Sequence, residues 1–96
     1  PGAYLILEGG TPVMRIEAGG KRLVPVNGLV GDRLAAAVST LPQLLRAPAP
    51  YRGKRLEVLT YDDDPAAKSA AAEALSRAGF EPAGEALVLW PSRARV

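Results

Sequence analysis

Residues 55–90, RLEVLTYDDDPAAKSAAAEALSRAGFEPAGEALVLW, decide the fold. Residues 56–61 are aliphatic, β-branched and aromatic, and Asp62, Asp63, Asp64 and Pro65 follow them, a pattern that predicts a strand and then a turn. A helix is expected next. Asp64 is placed to accept the first unbonded backbone N–H groups, and Pro65 at the first helical position has no N–H to lose. Ala67, Ala71, Ala74, Leu75 and Ala78 fall on one stripe of that helix, small enough to let its backbone approach a sheet, while Lys68, Ser69, Glu73 and Arg77 point away. Glu73 and Arg77 are one turn apart and set to pair. Gly79 offers the left-handed residue of a helix end, with Phe80 as its apolar contact. A turn at residues 82–84 and a last strand over residues 86–90 complete the unit.

Upstream, residues 3–8, 12–17 and 21–26 are short strand-like runs joined by Gly9-Gly10-Thr11 and Ala18-Gly19-Gly20. Glycine at both joints predicts a three-stranded antiparallel meander. In the second run Val13, Arg15 and Glu17 share one face and Met14 and Ile16 the other, as in a sheet with one packed and one wet side. Pro12 and Pro25 lie near strand ends, which marks the first and third strands as edges or barrel seams. After a turn at Asn27-Gly28, Asp32 reads as the cap of a helix whose Leu34, Ala37, Val38, Leu41, Leu44 and Leu45 recur at helical spacing. Pro42 removes the N–H that would bond the Val38 carbonyl, so that helix must kink or restart after Ser39-Thr40. Ala47-Pro48-Ala49-Pro50 is a stiff connector, too short to separate two domains. The expected fold is α+β in the order βββαβαβ: a curved, mostly antiparallel five-stranded sheet, able to close toward a barrel, with two helices packed on it. The direction of the last strand stays open.

Composition bounds the chemistry. The 96 residues suit one domain, spanning 1–96, with a thin core. The chain has no Cys and no His, which removes thiolate nucleophiles, disulfides, Cys/His zinc sites and histidine triads. No catalytic residue and no metal site are nominated. No apolar run nears the roughly 20 residues of a membrane span, and the start lacks the order of a signal peptide, so a cytoplasmic protein with no membrane partner is expected. Asp62, Asp63 and Asp64 have the oxygen ligands that magnesium or calcium takes. Adjacent carboxylates diverge, however, and one already serves as a cap, so the turn reading is preferred. The two Gly-Gly sites join strand to strand rather than strand to helix, which makes them hairpins and not phosphate loops.

The clearest binding signal is basic. Arg46, Arg52, Lys54 and Arg55 surround Tyr51, and Arg93 and Arg95 lie near the last residue given. Cations can hold a nucleic-acid backbone while the tyrosine stacks on a base. The competing reading is a solvated arginine-rich loop, and a net charge of +2 is small for a dedicated binder. Trp90, the lone tryptophan, is expected to be a core or interface anchor.

Gly2-Ala3-Tyr4-Leu5-Ile6-Leu7, the run from Met14 through Gly19-Gly20 to Leu23, the segment from Glu57 through Asp64 to Ser69, and Gly79-Phe80-Glu81-Pro82 into Leu87 resemble one known region. It is the extreme C-terminal region of the large helicase-related (Lhr) family of bacterial ATP-dependent DNA helicases. Two positions depart from that pattern: Ala18 and Glu85 stand where the family usually has basic residues. The resemblance implies the last module of a DNA-repair helicase, so that the chain, which begins with Pro1, is a C-terminal fragment of a larger protein. ATP and magnesium would then belong to the parent's helicase core and no cofactor to this chain. The implied partners are upstream modules of the parent, DNA, and further copies of the chain in an oligomer. Three functions follow: a non-catalytic accessory module for packing, assembly or DNA presentation; a direct single-stranded DNA binder using residues 46–55; and a part of a base-excision glycosylase site, for which no residue here matches a motif.

Overall fold

In the computed structural model, which describes residues 3–46 and 55–90, the glycine joints fold the first three strands as expected. β1 (Tyr4–Glu8), β2 (Thr11–Glu17) and β3 (Arg22–Pro25) form an antiparallel meander. Gly9 and Gly10 both take positive φ, the requirement of a two-residue hairpin turn between Glu8 and Thr11. One face is packed by Met14, Ile16 and Leu23, and the other exposes Leu5, Arg15 and Arg22. Val13 departs from the simple alternation. Ile6 pairs with Met14 and Leu7 with Pro12, which leaves Val13 as an extra residue in a β-bulge and buries it although its face should be wet.

α1 (Gly31–Val38) buries Leu34, Ala37 and Val38. Asp32 lies in its first turn and is not the cap, because the residue before the helix is Val30, whose side chain has no acceptor. The Ser39 and Thr40 hydroxyls donate to the Ala36 and Ala37 carbonyls, and a 3-10 segment, Leu41–Arg46, restarts the chain as Pro42 demands.

The decisive stretch folds differently from its expected strand and helix. Residues 56–61 break at Leu59 into β4 (Leu56–Val58) and β5 (Thr60–Tyr61), which belong to different sheets. β5 runs parallel to β3, so β3 is interior and not an edge. Asp62 and Asp63 both adopt left-handed φ and make the tight turn from β5 to β6 (Asp64–Pro65). Aspartate tolerates that conformation better than most side chains, and the turn consumes the acids before a helix can use them. Asp64 is therefore a strand residue. A 3-10 turn, Ala66–Lys68, precedes α2, which is only Ala72–Arg77. Ser69 links the two: its hydroxyl donates to the Ala66 carbonyl and accepts from the N–H of Ala71, the residue before α2, which has no side-chain cap of its own. The C-terminal reading holds. Phe80 N–H bonds the Leu75 carbonyl and Gly79 N–H the Ser76 carbonyl, the paired bonds of a Schellman end, with Gly79 at positive φ. The turn expected at residues 82–84 begins later, since β7 (Glu81–Ala83) pairs with β8 (Ala86–Leu89).

The α+β class thus stands: among the described residues there are a mixed sheet in the order β1-β2-β3-β5-β6, a three-stranded sheet β4-β8-β7 and two helices, and no closed barrel. The last strand is antiparallel to β4. The core gathers Met14, Leu23, Leu41, Leu56, Leu75, Leu87 and Leu89 from both sheets and the helical segments. Each such side chain contributes about 1.5–3 kcal/mol, against about 0–1 for an exposed ion pair such as Glu73–Arg77 at 3.1 Å, so burial decides the fold.

Gly20, in the turn between β2 and β3, lies against Leu56 of the second sheet. It sits at φ +97°, and a Cβ there would lie 3.3 Å from Leu56 Cδ2; neighbouring Gly19, also at positive φ, has open space. Gly20→Ala should lower stability in urea denaturation by about 1–3 kcal/mol, and by more than Gly19→Ala. An equal loss at Gly19 would contradict a close approach at Gly20.

Candidate functional site

Arg55 precedes β4, and the Leu56 to Leu89 pairing sets it across from Trp90, the first residue past β8. Its guanidinium carbon lies 5.6 Å from the centroid of the Trp90 ring, within cation–π range. Trp90 is 44% exposed, so of the two places expected for it, core or interface, the core is excluded. The cause is register: β8 buries all its residues and ends at Leu89, one short of the tryptophan. Arg46 closes the 3-10 segment, while Tyr51, Arg52 and Lys54 lie outside the described residues. Of the basic residues expected at a nucleic-acid site, the structure joins Arg55 to an aromatic other than Tyr51. Elsewhere Arg15, Arg22, Arg33, Lys68 and Arg77 are paired with carboxylates.

The second notable surface was not singled out in the sequence. β1 is an edge strand, and its Leu5 and Leu7 are each 55% exposed on the face opposite the core. Shallow grooves border the strand, one of about 410 Å³ that Leu5 shares with Thr40, Leu41 and Gln43 and one of about 190 Å³ that Leu7 shares with Arg33 and Ala36. Glu8 at its end is held by Arg33 at 2.9 Å. The signal available in the sequence was a pair of leucines at alternate positions where a wet face wants polar residues.

The acidic run is spent on structure. Asp63 accepts a hydrogen bond from Arg22, which also donates to Glu17, and these partners, Asp63 first, raise the Arg22 pKa above its ordinary value. Among the described residues no three acids converge as metal ligands. A groove of about 450 Å³ is bordered by Glu57, Asp63 and Glu85, of which Asp63 and Glu85 already face Arg22 and Lys68. No described helix is long and apolar enough to cross a membrane.

Comparison with protein-family models, with curated proteins and with solved structures found no match for this chain.

Tyr61 lies in the core, its hydroxyl without a hydrogen-bond partner among the described residues. Burial first, and then the charge of Asp62, push its pKa above the usual 10.0. The folded chain therefore keeps the phenol neutral where the unfolded chain has begun to ionise. This contribution to stability is complete below the unfolded value and drains away as pH rises from there through the folded one. The difference in stability between the parent chain and Tyr61→Phe should thus shift against the parent above pH 10, relative to its value at neutral pH. Parallel alkaline losses in the two proteins would contradict this.

Proposed function

We propose that the chain is a non-catalytic accessory module, of the kind its likeness to the C-terminal region of Lhr helicases implies, and that its work is assembly. The exposed apolar edge of β1 carries this reading. An edge strand presents unpaired backbone groups, and natural edges are commonly guarded by Lys or Pro; Tyr4–Glu8 contains neither. The bulge at Val13 belongs to β2, so β1 itself stays regular.

A second copy of the chain is the occupant that fits best. Turned antiparallel about Ile6, β1 is its own complement: Leu5 meets Leu7 of the second copy, Leu7 meets its Leu5, and Tyr4 meets its Glu8. The four leucines then form one apolar cluster, and the two sheets continue as one.

A second reading, direct binding of single-stranded DNA through residues 46–55, is supported by the exposed position of Arg55 at the end of the three-stranded sheet.

Sedimentation equilibrium over a range of concentrations tests assembly. The chain should dimerise, and Leu5→Lys/Leu7→Lys should remain monomeric with an unchanged far-ultraviolet circular dichroism spectrum. A monomer at all concentrations, or a dimer that tolerates both lysines, would overturn the β1 interface.

A further inference from the structure

We infer that Trp90 is a base-stacking residue for single-stranded nucleic acid, with Arg55 beside it as a phosphate ligand. This rests on the DNA-binding reading and adds to it a residue, a contact and a strand preference. Because Leu56 pairs with Leu89 in antiparallel register, the chain enters β4 and leaves β8 at the same end of the sheet. Arg55 and Trp90 therefore stand together at that end, and in sequence Arg52 and Lys54 precede the one while Arg93 and Arg95 follow the other.

A nucleotide needs two contacts from a protein that reads no sequence: a cation for its phosphate and a flat face for its base. Arg55 and Trp90 supply both within 5.6 Å, and the guanidinium stacked on the ring is already in place before any ligand arrives. The adjoining part of the same sheet face is unfavourable to a polyanion, since Glu57 pairs with Val88 there. That repulsion keeps the strand at the sheet's end. A duplex hides its base faces in its own stack and offers this indole none, so the preference is for a single strand.

Trp90 is also the only tryptophan in the chain, so its own emission reports the contact. The full chain is titrated with oligothymidylate and with a duplex of equal length, at low and at moderate salt. The single strand should quench Trp90 and the duplex should not. Trp90→Leu should weaken single-strand affinity roughly 10- to 100-fold with an unchanged salt slope. Arg52→Ala/Lys54→Ala/Arg55→Ala should instead weaken binding and flatten the slope. Salt-dependent binding without quenching, and with full affinity in Trp90→Leu, would overturn the stacking role and leave DNA binding standing. No binding by the unaltered chain at low salt would overturn both. Equal quenching by the duplex would overturn the strand preference. The titration of the unaltered chain is decisive even if a variant fails to fold.

Discussion

The Lys21 carbonyl accepts two backbone hydrogen bonds, from Leu59 N–H at 2.8 Å and Thr60 N–H at 3.1 Å, and the architecture depends on that junction. At Leu59 the chain leaves the three-stranded sheet and enters the five-stranded one, so this carbonyl clamps the crossing to the end of β3. The Leu23 carbonyl continues the seam by accepting from Asp62 N–H, and the Leu59 carbonyl accepts from the N–H of Ala66, the first residue past β6. A buried backbone group left unpaired costs about as much as a lost hydrogen bond, so the break at Leu59 is tolerable only because each of these groups finds a partner. Gly20, next to Lys21, leaves room for Leu56 just before the crossing. The seam fixes how the two sheets share one core.

From that arrangement come the two surfaces that could act. The seam makes β3 interior, which leaves β1 as the outer strand of the meander and leaves Leu5 and Leu7 uncovered. It also sets β4 beside β8 in the second sheet, and the register of that pair brings Arg55 to Trp90. Surface carboxylates are engaged in turns and ion pairs: Asp63 with Arg22, Glu8 with Arg33 and Glu85 with Lys68. The described residues thus present an apolar surface at one edge and a cation beside an aromatic ring at the other sheet's end.

Features that depend on neighbours in sequence were legible. Pro42 ended α1 because a missing N–H acts within one turn, and Gly79-Phe80 closed α2 through bonds spanning a few residues. Gly9-Gly10 announced a hairpin for the same reason. Asp62-Asp63-Asp64-Pro65 misled because aspartate favours both helix caps and left-handed turns, and only the pairing of β5 with β3 chooses between them. The bulge at Val13 was hidden, since alternation is read along one strand while a bulge is defined against its partner. The exposure of Trp90 was hidden likewise, because it follows from register, whereas β1 was among the strands expected at an edge. Arg55 was legible as a cation, whereas its indole partner lies 35 positions away in sequence (90 minus 55) and needed the fold.

Native-state amide hydrogen exchange tests most directly whether the β3–β5 seam joins the two sheets into one cooperative unit. The account predicts that the amides of Leu59, Thr60 and Asp62 exchange only on global unfolding, with the same free energy as the central amides of β2 and β8. Exchange of those three by a lower-energy local opening, while β2 and β8 stay protected, would show that the sheets hold together without the seam and would contradict it.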